Sequence, residues 1–129
     1  MKIKILLEKA INLRRVEKAL GVKLKNWQIK YILFDKMPSQ KVLDRRGSGK
    51  TYANCLKILL SGEDELITDY LPNEKSILGQ EKDKFMFFKV DFDDTAWLER
   101  YVFSERMIWN LYDSLKDVKN IKIRKLKKR

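Results

Sequence analysis

Apolar residues recur at intervals of three and four along much of the chain, which is the spacing of one face of an α-helix. The pattern predicts helices over residues 3–20 and 25–34, and a further helix from Lys50 to Leu60. Gly21 is expected to end the first helix, because glycine readily adopts the left-handed conformation that often follows a helix. Pro38 is expected to close the second helical segment.

Three shorter runs have the apolar content or the alternation of β-strands. They predict strands at Lys41–Leu43, Phe85–Asp91 and Ile121–Leu126. Apolar and basic residues alternate in the last of these runs, which is typical of an edge strand. A long helix, from residue 93 or 94 to about residue 117, is predicted between the second and the third strand.

Strands that alternate with helices usually pair in parallel through crossover connections, so we predict an α/β fold with a small, mostly parallel sheet of about three strands flanked by helices. The chain has 129 residues, of which 44% are hydrophobic, and this is enough for one modest core. We expect a single α/β domain with a helical N-terminus over residues 1–118. An edge strand and a basic tail follow over residues 119–129.

Composition excludes several kinds of site. The chain has no His, which removes His-based acid–base catalysis, Ser-His or Cys-His nucleophiles and His metal ligands. The single Cys55 excludes an intramolecular disulfide and a zinc site made of cysteines, and it fits a reducing compartment. No run approaches the ~20 apolar residues that a membrane span needs. We therefore expect a cytoplasmic protein without membrane contact, in which Cys55 is a small buried side chain.

The chain is strongly basic, since 29 Lys and Arg against 18 Asp and Glu give a net charge of +11. A polyanion such as nucleic acid is therefore the first partner to consider. The acidic residues concentrate in residues 61–100, so the basic charge lies towards the two ends of the chain. The basic tail is either a solvated charge run or a nucleic-acid contact of low sequence specificity. The residues predicted to contact nucleic acid are Arg45, Lys122, Arg124, Lys125, Lys127, Lys128 and Arg129.

The most specific motif is Arg46-Gly47-Ser48-Gly49-Lys50-Thr51, which stands between a predicted strand and a predicted helix. In such a loop, small residues let backbone N–H groups gather around a phosphate at the positive end of the helix dipole. Lys50 would then reach the terminal phosphates, and the Thr51 hydroxyl would hold Mg²⁺. Asp44 stands where the full signature has its first glycine, and it adds a negative charge near the ligand.

Two segments, Leu24-Lys25-Asn26-Trp27-Gln28 and residues 45–53, together resemble the N-terminal part of phage terminase large subunits and related P-loop motor ATPases. The chain also resembles small phage proteins that carry only this front segment. The resemblance covers roughly residues 24–60. It implies a truncated P-loop-like fold in the host cytoplasm, with Gln28 contacting adenine and ATP with Mg²⁺ as possible ligands. By the same resemblance, phosphate and metal would be held by Gly47, Gly49, Lys50 and Thr51.

A motor ATPase also needs an acidic residue at the end of a second strand to hold Mg²⁺. Asp91 is the candidate for this role, although helix capping is the better explanation of Asp91, Asp93 and Asp94. The usual catalytic Glu does not follow Asp91, so we predict binding of a nucleotide or nucleic acid without turnover. Two alternatives stay open: an ATPase completed by a partner or an oligomer, and a non-enzymatic inhibitor of a host nuclease or defence complex.

Three aromatic residues of the second predicted helix, Trp27, Tyr31 and Phe34, share one side of that helix. Helical spacing of this kind is more typical of core residues than of platforms for base stacking. Gln28, next to Trp27, is an ordinary residue of the helix surface unless a nucleotide is bound there. The sequence therefore places the second helix against the core and leaves its ligand-binding role dependent on the resemblance.

Overall fold

The computed structural model describes residues 2–43, 49–61, 65–68 and 106–128. Most of them are helical. The helices are α1 (Lys2–Leu20), α2 (Asn26–Phe34), α3 (Gln40–Leu43), α4 (Lys50–Leu60) and α5 (106–115), and the strands are β1 (Leu66–Thr68) and β2 (Leu126–Lys128).

The helix predicted over residues 3–20 is confirmed as α1, which has 19 residues. Gly21 ends it as expected, with a positive φ of 66°. The N–H of Gly21 donates to the carbonyl of Lys18 at 3.3 Å, and the N–H of Val22 donates to that of Glu17 at 3.1 Å. These bonds satisfy carbonyl groups that the last turn of the helix would otherwise leave without partners.

The helix predicted over residues 25–34 is confirmed as α2, and a left-handed residue ends this helix as well. Asp35 has a φ of 57°, and its N–H donates to the carbonyl of Tyr31 at 3.1 Å. The N–H of Lys36 donates to the carbonyl of Lys30 at 3.4 Å. Together these two bonds reverse the chain direction, so that the segment ending in Pro38 runs beside α2.

The predicted α/β fold with a three-stranded sheet is wrong, because the described part of the chain is mostly helical. Lys41–Leu43, predicted as a strand, belongs to α3, in which the N–H of Val42 donates to the carbonyl of Ser39 at 3.0 Å. Three apolar or basic residues in a row do not distinguish a strand from one helical turn. The predicted strand Phe85–Asp91 lies outside the described residues.

The third predicted strand, Ile121–Leu126, is displaced towards the C-terminus. Residues 121–125 are irregular, and only the final residue of that prediction belongs to β2. β2 pairs in parallel with β1, with Leu66 opposite Leu126 and Thr68 opposite Lys128. Within the described residues the β-structure is this pair of three-residue strands.

The core lies between α1, α4 and α5, and it includes one side chain of β2. Seven consecutive residues of α4, Ala53–Leu59, are buried, so this helix is enclosed on all sides. Cys55 is fully buried, as expected. The main apolar members of the core are Leu13, Val16, Leu56, Ile58, Leu59, Ile108 and Leu115.

Hydrogen bonds from α1 fix the segment that leads to β2. The side-chain amide of Asn12 donates to the carbonyl of Lys122 and accepts from its N–H, both at 2.8 Å. Arg15 donates to the carbonyl of Asn120 at 3.0 Å, and the N–H of Arg124 donates to the carbonyl of Leu59 at 2.9 Å. The C-terminal segment therefore packs between α1 and the end of α4.

Candidate functional site

The predicted phosphate-binding residues that the structure describes lie at the start of α4. Gly49 precedes the helix, and Lys50 and Thr51 are its first two residues. All three are half-buried. The predicted site residues outside the described residues are Arg45, Arg46, Gly47, Ser48, Asp91 and Arg129.

Gly49 has the backbone conformation that makes glycine necessary here. Its φ is 87°, in the left-handed region that side chains disfavour. Its carbonyl accepts the N–H of Ala53 at 3.0 Å, which is the first hydrogen bond of α4. Gly49, which has no side chain, is the N-cap residue of α4, and the N–H groups of a first helical turn have no acceptor within their own helix.

Gln28 connects α2 to Gly49. Its Nε2 donates to the carbonyl of Gly49 at 3.1 Å, and its Oε1 accepts the N–H of Lys25 at 2.9 Å. The side chain is only 5% exposed. A Cβ placed on Gly49 would overlap Nε2 of Gln28. The structure therefore brings together two predicted site elements that are 21 residues apart in the sequence.

Further contacts hold α2 and α4 together beyond this point. The hydroxyl of Tyr31 donates to Oδ1 of Asn54, and Nζ of Lys57 donates to the carbonyl of Tyr31 at 3.1 Å. From Gln28–Gly49 to Tyr31–Asn54 and on to Lys57, residue numbers increase in both helices. The two helices therefore run in the same direction, and their N-terminal ends lie side by side.

Lys57 is a buried cation with several partners. Its Nζ forms an ion pair with Asp35 and lies 4.0 Å from the centre of the Tyr31 ring, in addition to its bond to the Tyr31 carbonyl. The side chain of Lys57 is 7% exposed, whereas that of Asp35 is 78% exposed. The ammonium group thus lies at the C-terminal end of α2, where a positive charge is favourable.

Asn54 and Lys57 were not among the predicted site residues. Both are polar and buried within an otherwise apolar helix, which is uncommon unless they have partners. The side chain of Asn54 is fully buried, and its Nδ2 makes no hydrogen bond within the described part of the chain. The sequence contained one sign of their role. Asn54 and Lys57 are three residues apart, which places both polar side chains on one side of a predicted apolar helix.

The tail residues predicted to contact nucleic acid do not share one environment. Lys122, Lys125 and Lys127 are exposed, and Lys128 lies in β2. Arg124, in contrast, is only 5% exposed. Arg124 is therefore covered by neighbouring residues, while the three exposed lysines are accessible to a partner.

Among the described residues, no cluster of three acidic or cysteine side chains could hold a metal ion. Thr51 is the one predicted metal ligand that is described. No described helix combines the length and the apolar composition needed to cross a membrane.

Comparisons with known proteins provide no relative of this chain. No family model, curated protein or solved structure matches this chain. The geometry at the start of α4 and the sequence motif found there are therefore the features from which a function can be inferred.

Proposed function

We propose that this chain binds a phosphate-containing ligand, in the first place a nucleotide, at the N-terminal end of α4. The observation that carries the proposal is the hydrogen bond from Gln28 to the carbonyl of Gly49, immediately ahead of Lys50 and Thr51. A predicted base-contacting residue and the predicted phosphate-contacting residues are thus adjacent in space.

The start of α4 has the chemistry of an anion site. The N–H groups of its first turn lack intrahelical acceptors, and the helix dipole adds a partial positive charge there. Lys50 supplies an ammonium group for the terminal phosphates, and the hydroxyl of Thr51 is a suitable ligand for Mg²⁺. The net charge of +11 favours the approach of a polyphosphate.

The remaining hydrogen-bonding capacity of Gln28 suits adenine. A glutamine amide has two N–H donors and two carbonyl lone pairs, and one of each is used by Gly49 and Lys25. One donor and one acceptor remain, which is the combination that N7 and the N6 amino group of adenine require. Since Gln28 is 5% exposed, a base would reach these groups only after the neighbouring residues of α2 and α4 move aside.

The first test measures ATP binding to the wild type, Lys50→Ala and Lys18→Ala at low salt by calorimetry. Lys18 is an exposed lysine in the last turn of α1, so Lys18→Ala changes the net charge by the same amount as Lys50→Ala. We expect Lys50→Ala to weaken binding about tenfold or more, which is the usual effect of losing a charged hydrogen bond. Lack of ATP binding by the wild type, or equal affinities of the two variants, would refute the proposal.

The second test separates base contact from loop positioning at Gln28. ATP and inorganic triphosphate are titrated against the wild type and Gln28→Leu. If Gln28 contacts adenine, the substitution weakens ATP binding and leaves triphosphate binding nearly unchanged. If Gln28 only positions Gly49, both affinities fall together.

Turnover is measured in the same samples as Mg²⁺-dependent release of phosphate. We expect none above the uncatalysed rate. Hydrolysis that decreases in Lys50→Ala and Asp91→Asn would instead favour the ATPase alternative.

A further inference from the structure

A cavity of about 280 Å³ lies beside α2. Residues of the first two turns of the helix form one wall, and the segment that follows the helix forms the other. The lining residues are Asn26, Trp27, Lys30, Lys36, Met37, Pro38 and Ser39. Its volume is just below the range of about 300–1,000 Å³ that is usual for small-ligand sites, so it suits a ligand no larger than one ring system and its substituents.

The residues that line the cavity are not those that join α2 to α4. At 100° per residue, Asn26, Lys30 and Trp27 span an arc of about 100° of the helix, and Tyr31 and Gln28 lie on the adjacent arc beyond Trp27. Gln28 and Tyr31 contact Gly49 and Asn54, and neither lines the cavity. The cavity and the site proposed at Gly49 therefore have different lining residues, and the two sites can be tested separately.

Trp27 is not a core residue, in contrast to the expectation from its spacing. It is half-buried and forms part of the cavity wall, whereas Tyr31 on the same helix is fully buried. Phe34, the third aromatic residue of the predicted core face, is 57% exposed. Trp27 is thus the aromatic residue of α2 that is both held in place and accessible from a concave surface.

The charge around the cavity is positive. Lys30 and Lys36 are exposed and line the cavity, and the lining residues that the structure describes include no acidic side chain. The nearest aspartate in the sequence, Asp35, forms an ion pair with Lys57. Residues 22–43, the segment to which the lining residues belong, contain five lysines and one aspartate.

We propose that this cavity binds one nucleotide of a single-stranded nucleic acid, with its base on Trp27 and the adjacent phosphates on Lys30 and Lys36. Aromatic side chains within a basic groove are the usual means of binding single strands, because every base has a flat face that can stack. Lys23 and Lys41, both exposed, stand three residues before the first and two residues after the last lining residue in the sequence. Lysines on both sides of the lining segment favour a strand over a free nucleotide.

The main test uses a fluorescein-labelled oligo(dT) of about ten nucleotides, a length within the range that single-strand sites cover. Fluorescence anisotropy gives its affinity for the wild type, Trp27→Leu and Phe34→Leu. Phe34 is an exposed aromatic residue of the same helix that does not line the cavity. We expect about a tenfold loss for Trp27→Leu and less than about a twofold loss for Phe34→Leu. Equal affinities of the two variants would overturn the proposal.

The lysines are tested by their effect on salt dependence. Lys30→Gln with Lys36→Gln is compared with Lys9→Gln with Lys18→Gln, two exposed lysines of α1 that do not line the cavity, which has the same change in net charge. For single strands, each lost phosphate contact lowers the slope of log affinity against log salt concentration by about 0.7. The cavity pair should lower the slope by about 1.4 and the control pair by less. Equal changes would mean that net charge alone accounts for binding.

A measurement on the unaltered protein covers the case in which Trp27→Leu does not fold. The indole N–H signal of Trp27 in an NMR spectrum is assigned by its loss in Trp27→Phe. It should move when oligo(dT) is added to the wild type and stay in place with inorganic polyphosphate of similar charge. No movement with oligo(dT), or equal movement with polyphosphate, would overturn the proposal. A free nucleotide that moves this signal at lower concentration than the strand would contradict the assignment to a strand.

Failure of the cavity proposal can be told apart from failure of the nucleotide site proposed at Gly49. Lys50→Ala should lose ATP binding but keep the Trp27 response to oligo(dT). If Lys50→Ala leaves ATP binding unchanged while Trp27→Leu weakens oligo(dT) binding, the nucleotide site fails and the cavity stands. A loss of the Trp27 response in Lys50→Ala would contradict the separation of the two sites.

Discussion

The two ends of the interface between α2 and α4 are built differently. At the C-terminal end, the ammonium group of Lys57 contacts the Tyr31 carbonyl, the Tyr31 ring and Asp35, all within the protein. At the N-terminal end, Gln28 contacts Gly49, which offers no side chain, and the next residues are half-buried. One end is held by a buried cation, and the other is a contact between a side-chain amide and the backbone at the start of a helix.

This difference assigns separate tasks to the two ends. Because α2 and α4 run in the same direction, contacts at the C-terminal end also set the register that places Gln28 on Gly49. Substitutions at the Lys57 end should therefore change mainly the free energy of unfolding. Substitutions at the Gly49 end should change ligand binding as well.

Lys57→Ala should destabilise the protein by about 3 kcal/mol. The substitution removes a charged hydrogen bond and a cation–π contact, each of which contributes about 1–3 kcal/mol when buried. Asp35 is 78% exposed, so its charge is left in water and adds little to the loss. Urea unfolding measures the effect, with exposed Lys18→Ala as the control. Similar stabilities of the two variants would show that the C-terminal end is not held by Lys57.

Gly49→Ala should destabilise the protein by about 2 kcal/mol and weaken ATP binding. Its positive φ alone costs an alanine about 1–2 kcal/mol, and the added Cβ would overlap Gln28. Gly21→Ala is a matched control, because Gly21 also has a positive φ but nothing within 4 Å of an added Cβ. The difference between the two variants therefore measures the contact with Gln28. Equal losses of stability in the two variants would mean that the Gln28 side chain moves away from an added Cβ at no measurable cost.

Tyr31→Phe should cost about 1 kcal/mol, because Asn54 would lose its hydrogen-bond donor while remaining fully buried. Combining it with Asn54→Leu should recover much of this loss, since no buried amide then lacks partners. Thermal unfolding of the two single variants and the double variant gives the coupling energy. A double variant that is less stable than either single one would contradict this account of the interface.

The helices could be predicted from the sequence because their signals are local. The apolar spacing of α1, the left-handed Gly21 and the bounds of α4 follow from patterns within a few residues. The strands could not be placed in the same way. A three-residue run such as Lys41–Leu43 fits a helical turn as well as a strand, and β2 depends on a distant partner, β1.

The candidate site was predictable in part. Gly49, Lys50 and Thr51 share a motif, and the structure places Gln28 against the first of them. The burial of Lys57 and the exposure of Trp27 were not predictable, because both depend on how α2 packs and on the path of the chain after it. Composition and spacing describe a helix face, but they do not reveal which neighbour covers it.

The smallest predicted effect concerns pH and the first turn of α4. Burial raises the pKa of Tyr52 above its ordinary value of 10.0, so the folded state holds the phenol proton more tightly than the unfolded chain does. This contribution to stability is complete below pH 10 and is lost as the pH rises through the pKa of the folded state. Between neutral pH and about pH 10.5, the wild type should therefore lose slightly more stability than Tyr52→Phe.

The urea midpoints of both proteins at the two pH values give this difference, and lysine titration, common to both, cancels. An identical loss in the two proteins would mean that Tyr52 is as hydrated in the folded state as in the unfolded chain. The N-terminal end of α4 would then be more open to water than its half-buried side chains indicate. A larger loss in the wild type would instead support a partly dehydrated first turn, in which an anion interacts more strongly with the N–H groups.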